Sequence, residues 1–312
     1  MHRRKITIIA TLLLMVLKVQ AQQEPHFAHY WAMEPSFNPG AVGKQNVINV
    51  TGAYAMTLTG FENAPRTMHV GADMPFRLMN VFHGAGVQLV NDQLGLFTHQ
   101  RLALQYALKL NLLGGTLSTG VQFGVVSEKF RGSGVDTETQ NDPAFTRSDV
   151  NGVAMDLAAG LYYTHQNWYA GVSVTHATGP EVELGDRSIL KISQAYYLTG
   201  GYNIKLRNPF ITIHPSVLGT YDGAVYRVDV TTRVKYTHEK KVLYLGVGYS
   251  PSNSVTALIG GNFHGITLGY SYEIYTSVLK IGNGSHELFV GYQTELNFGK
   301  KGRNRHQSVR IL

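Results

Sequence analysis

The chain has no cysteine among its 312 residues. Thiol catalysis, disulfide scaffolds, zinc ribbons, iron–sulfur clusters and lipid anchoring through an N-terminal cysteine are excluded with it, because each needs a cysteine sulfur. Charge is scarce as well: Asp, Glu, Lys and Arg make up 15% of the residues, against 44% apolar, too apolar for a disordered chain. No apolar run reaches the roughly 20 residues that a membrane-spanning helix needs. Also missing are a His-Glu-x-x-His pair, a Gly-x-Ser-x-Gly elbow and a phosphate-binding glycine loop. The 13 histidines are scattered singly, as at His69, His165, His176, His214, His238, His264 and His286. The sequence therefore points to no metal site, no cofactor and no catalytic residue. A non-enzymatic protein is expected, although serine or carboxylate catalysis needs only closeness in space.

What is abundant is glycine, at 34 residues, with 18 tyrosines and 13 phenylalanines, a composition suited to many strands and tight turns. The formal charge of +7 sits at the two ends. Arg3, Arg4, Lys5 and Lys18 precede residue 22 with no acid among them, and Lys300, Lys301, Arg303, Arg305 and Arg310 follow residue 299, again with none. The body is slightly acidic, so no nucleic-acid partner is expected. The basic start, the apolar run from Ile6 to Leu17 and the small-residue site Val19-Gln20-Ala21 read as a secretory signal peptide over residues 1–21. Export without cysteine points to a bacterial envelope.

Alternation is the dominant pattern. Leu102, Leu104, Tyr106, Leu108, Leu110 and Leu112 oppose Ala103, Gln105, Ala107, Lys109 and Asn111. The split recurs at Ile48 to Leu58, at Tyr226 to Tyr236 and at Glu287 to Phe298, with period two rather than the three and four of a helix. Divided at its turn residues, the stretch 45–299 gives about fourteen segments of the length that a tilted membrane strand requires. Short links, such as Gly114-Gly115, His165-Gln166 and Phe263-His264, alternate with long ones at Phe130 to Val150, Thr178 to Leu190 and Ser277 to Ser285. The expected fold is all-β: a transmembrane outer-membrane barrel of about 14 antiparallel strands with short periplasmic turns, long outer loops and both termini in the periplasm. A soluble sandwich also alternates, but its outward face would be well charged, whereas here the small face is Gly, Ala, Ser, Thr and Asn. Tyr162, Tyr163, Tyr169, Tyr196, Tyr197 and Tyr221 are expected in interfacial girdles against the lipid.

Parity places Asp73, Lys109, Asp156, Arg227, Asp229, Arg233, Lys235, Glu273, Glu287 and Glu295 toward the lumen. They could form ion pairs that fill it or line a solute pathway, and the first reading is preferred. Residues 22–44 do not alternate: Pro25, Pro35 and Pro39 break regular structure, while Phe27, Tyr30, Trp31 and Phe37 are too apolar to hang in water. This periplasmic segment is expected to pack into the barrel mouth, or else to dock a partner. Residues 300–312 read as a basic tail. The loop after Phe130 mixes apolar Phe130, Val135 and Phe145 with Asp136, Glu138 and Asp142, a composition suited to holding a protein.

The opening QQEPHFAHYWAMEPSFNPGAVGK resembles the N-terminus of the PorP/SprF family of type IX secretion system outer-membrane proteins, through Phe27, Tyr30, Asn38, Pro39 and Gly43. The likeness continues through APRTMHVGADMPF, GAGVQLVNDQLG, YALKLN, WYAGVSVTH, GYSYEIYTS and GSHELFVGY, with Phe61-Glu62-Asn63 a departure before Ala64-Pro65. The resemblance implies a barrel in the outer membrane of Bacteroidota. Its implied partners are outer-membrane lipid, a secreted cargo carrying a type IX C-terminal signal domain, such as an adhesin used in gliding, or a periplasmic peptidoglycan-associated protein. The alternative is an independent channel for small solutes.

Overall fold

With a two-residue period, one side of most segments from Val47 onward is apolar and the other small or polar, and such segments satisfy their backbones by pairing side by side. The computed structural model describes residues 24–134, 149–185, 188–239, 241–276 and 282–296. The strands of the first half are β1 (Val47–Met56), β2 (Arg66–Leu78), β3 (Val81–Leu94), β4 (Phe97–Leu112), β5 (Gly115–Phe130), β6 (Val150–His165) and β7 (Trp168–Thr175). A small hairpin follows, β8 (Glu181–Leu184) and β9 (Ser188–Lys191). The second half holds β10 (Ala195–Tyr202), β11 (Ile204–Lys205), β12 (Ile211–Tyr221), β13 (Tyr226–His238), β14 (Lys241–Ser250), β15 (Ser254–Phe263), β16 (Ile266–Tyr275) and β17 (Ser285–Glu295). β10 and β11 are two pieces of one barrel strand, interrupted at Asn203, and both pair with β12.

Each barrel strand pairs antiparallel with its sequence neighbours, and β1 pairs with β17 from Val47 opposite Glu295 to Met56 opposite His286. The result is a closed barrel of 14 strands, as the alternation implies. Closure leaves no edge with unpaired backbone groups, which is the condition for crossing lipid with strands.

The outer wall is the apolar one. Leu104 is 66% exposed and Leu102 54%, while Ala103 between them is 1% exposed and faces inward. Phe123, Val153, Leu198, Leu245, Val247, Ile259, Leu268 and Leu288 continue this outer surface. In water so broad an apolar surface would drive aggregation; a bilayer covers it.

Three details depart from expectation. The turns Leu113-Gly114 and His264-Gly265 have positive φ at both residues, the geometry of a tight two-residue hairpin, so each falls one residue from the expected position. Thr178 to Leu190 is not an open loop but carries the β8–β9 hairpin, folded against β5 and β6 by Val182 and Leu184 packing with Val126, Val150 and Ala154. Among the six girdle tyrosines, Tyr162 and Tyr197 are buried, Tyr162 stacked on Tyr169 at 5.5 Å between ring centres and Tyr197 on Phe37 at 5.4 Å. These three rings share the inward parity of buried Ala158, Ser173 and Ala195 on their own strands, so they face the lumen rather than the lipid.

Candidate functional site

The lumen is filled by the chain's own N-terminal segment. Pro25, Pro35 and Pro39 deny it a continuous helix or strand, and it folds as three single-turn 3-10 helices, Tyr30–Ala32, Glu34–Ser36 and Pro39–Ala41. Its apolar side chains fill space left by small inward residues of the wall. Phe27 and Met33 pack with Ala53, Ala55 and Phe289, and Tyr30 and Phe37 with Ala195, Tyr197 and Leu218. Gly120 and Gly160 face each other across β5 and β6. A methyl group at Gly120 would overlap the backbone of Pro39 and Gly40, and one at Gly160 the Asn38 side chain, so this pair forms the notch that receives the Asn38-Pro39-Gly40 turn.

A segment without a ladder must find other partners for its backbone. Asn38 Oδ1 accepts the Gly40 N–H at 2.8 Å, and Asn38 Nδ2 ties the turn to the wall by donating to the Leu161 carbonyl of β6 at 3.1 Å. Ser173 donates to Phe37 O at 2.7 Å and Gln105 to Pro35 O at 2.6 Å. Glu287 accepts the N–H groups of Ala28 at 2.6 Å and His29 at 3.1 Å, and also lies 2.6 Å from His29 Nδ1. Asp73 accepts the Gly43 N–H at 2.8 Å, while Lys109 donates to the Gly43 carbonyl.

Several of the remaining inward charges form local networks. Asp156 lies 3.0 Å from His176 Nδ1, and Glu24 lies 2.7 Å from His176 Nε2. Burial works to raise the Glu24 carboxyl, but the positive field of His176, Arg101 and His99 outweighs it and holds the group well below the usual carboxylate range. Arg227 bridges Asp229 and Glu273, each at 2.9 Å, and His26 approaches Asp229 at 3.7 Å. Burial and Arg227 together push the His26 imidazole down. Arg233 lies 3.6 Å over the Trp31 ring, and Lys235 lines a cavity beside it. Glu295 is exposed at the end of β17.

The period-two pattern located these wall charges but not the charges supplied by the N-terminal segment, Glu24 and the Glu34–Lys44 pair. Arg101 and the His99–Glu128 pair also face inward. Arg101 immediately precedes the Leu102 to Leu112 alternation and shares the inward parity of Ala103 and Gln105. Phe130 is not a free loop anchor: it ends β5 and packs on Phe97 at 4.8 Å. Val135, Asp136, Glu138, Asp142 and Phe145 lie outside the described residues.

The N-terminal segment runs through the depth of the barrel rather than resting in one mouth of it. Glu24 sits by His176, just past the long-loop end of β7, whereas Lys44 comes down beside Tyr162 and Tyr169 and leads into β1 at the short-turn end. Beneath it, at the short-turn end, is a cavity of about 690 Å³. Around Glu24, Phe37 and Tyr197, on the other side, only about 60 Å³ is free.

A closed barrel with an apolar outer wall and a filled polar lumen defines an outer-membrane β-barrel protein. Residues 19–292 match the family described as "Type IX secretion system membrane protein PorP/SprF", and the chain belongs to that family. Among solved structures it is similar to the "CymD monoaromatic hydrocarbon channel", with a TM-score of 0.51 and 10% identity over 85% of this chain and 93% of that one. A Pseudomonas aeruginosa FadL homologue gives a TM-score of 0.51 and 9% identity over 83% and 93%. At such identities the likeness is one of fold alone. No curated protein matches the chain.

Proposed function

We propose that this barrel is a non-enzymatic accessory of type IX secretion that holds a secreted cargo, of the surface-adhesin type, through its long loops. The observation that carries the reading is the filled lumen. A segment tied to the wall by Glu287, Asp73 and the Glu24–His176 pair occupies the space that a solute pathway would need, which favours function at the two ends of the barrel. In this reading the long loops face outward. The short-turn end, where β1 starts and β17 stops, faces the periplasm and any peptidoglycan-associated partner. Family membership supports the secretion context; the loop chemistry supports a protein ligand.

Replacing Arg131 to Arg147 by a Gly-Ser link tests it. The account predicts a heat-modifiable barrel at normal abundance in the outer membrane, with cargo lost from the cell surface. Cargo retained in normal amounts beside a correctly inserted barrel would remove that loop as the binding site.

A further inference from the structure

Two cations on β13 have no counter-charge among the described residues. Arg233 and Lys235 stand two residues apart on the same inward face, opposite His214 and Thr212 of β12. Among the described residues neither enters an ion pair, and Arg233 Nε is buried without a hydrogen-bond partner. Both line the 690 Å³ cavity at the short-turn end, with Trp31, Tyr169 and Tyr244 as its aromatic walls. Trp31 and Tyr244 meet edge to face at 5.3 Å.

The carboxylates that line the same cavity are committed elsewhere. Glu34 is paired with Lys44, Asp73 accepts from Gly43 and Asn49, and Glu295 is exposed at the rim. His214 is occupied by Thr212 at 2.8 Å and Asn203 at 2.5 Å. Withdrawing cations from water without an anion is costly, and a cavity of this size with flat apolar walls and a few convergent polar groups has the form of a small-ligand site.

We propose that this vestibule binds a carboxylate carried on an aromatic or apolar body, with the carboxylate on Arg233 and Lys235 and the body against Trp31, Tyr169 and Tyr244. A planar guanidinium already held over an indole offers its remaining N–H groups as a fork to a carboxylate, and the ammonium adds a second donor. The carboxylate belongs either to a free organic acid or to the C-terminal residue of a peptide entering at the short-turn end. The proposal does not depend on cargo binding by the loops, and its readout involves no cargo.

The chain has two tryptophans, Trp31 and Trp168, so in the purified full-length Trp168→Phe barrel the emission of Trp31 reports the cavity. Four probes are titrated: benzoate, benzamide, the peptide Gly-Gly-Phe with a free C-terminus, and the same peptide amidated. The expected result is saturable change with benzoate or the free peptide, at an affinity about tenfold or more above that of the neutral counterpart. Saturation by benzoate alone assigns a free acid, and saturation by the peptide alone assigns a chain terminus. Lys235→Gln should weaken the binding about tenfold in a barrel that stays heat-modifiable. It decides the matter even if Arg233→Gln fails to fold through loss of its packing on Trp31. Equal affinity for acid and amide, no saturation by either acid, or unchanged affinity in Lys235→Gln would each overturn the proposal.

Discussion

Glu24 Oε1 lies 2.7 Å from Nε2 of His176, an imidazole with no solvent exposure, and so ties the start of the described chain to the long-loop end of the barrel wall. On the far side of the same ring Asp156 stands at 3.0 Å, and Arg101 and Tyr197 flank the pair. The contact sets a sign for pH dependence. The folded Glu24 carboxyl titrates below its unfolded value, so its contribution is fully present above the ordinary carboxylate range and is lost as pH falls through and below that range. Limited proteolysis of the N-terminal segment from pH 8 to pH 3, compared with Glu24→Gln, should show the wild-type advantage shrinking toward the acid end. An advantage that persists unchanged at pH 3 would contradict the assignment.

Glu287 satisfies two backbone N–H groups and one imidazole nitrogen inside the barrel. Glu287→Ala leaves all three without it in a buried site, which should cost about 3 kcal/mol or more. Denaturant titration in detergent micelles measures this. A loss below about 1 kcal/mol would mean that water replaces the carboxylate readily.

The notch makes a steric prediction. Gly120→Val should eject the Asn38-Pro39-Gly40 turn while leaving the β5–β6 ladder paired, because the added carbon meets Pro39 and Gly40 rather than the neighbouring strand. Cleavage of the N-terminal segment by added protease, with the barrel band retained, is the expected pattern. Protection equal to wild type would show that the turn can shift.

Wall parity predicts a depth effect. Leu104→Arg puts a charge on the lipid face and should cost about 2 to 4 kcal/mol on folding into vesicles. Thr164→Arg enters the short-turn cavity and should escape that term. Ala107 would be a poor inward control: it faces the lumen but is fully buried there, so an arginine at that site would meet packed atoms rather than open space.

The barrel was legible because period two was almost unbroken. Leu102 and Leu104 against Ala103 and Gln105 fix both the strand and its inward face, and one such assignment per segment gives strand number and closure. The N-terminal segment gave composition without period. Its prolines announced irregular structure and its aromatics announced burial, but nothing local says how deep an irregular segment goes. That depth is set by Gly120, Gly160 and Ala53, which in sequence read as ordinary small inward residues. The β8–β9 hairpin was missed for a related reason, since its two four-residue strands are too short to display a period. Likewise Arg227 and Glu273 lie on strands that are not neighbours, and only the closed, filled barrel brings them to 2.9 Å.

The central claim is that the lumen is sealed by the chain's own N-terminal segment, and single-channel recording in planar bilayers tests it most directly. The intact barrel should show no steady conductance, and a variant lacking residues 24–43, inserted and heat-modifiable, should show large open channels. Steady conductance of the intact barrel equal to that of the deletion variant would contradict the account.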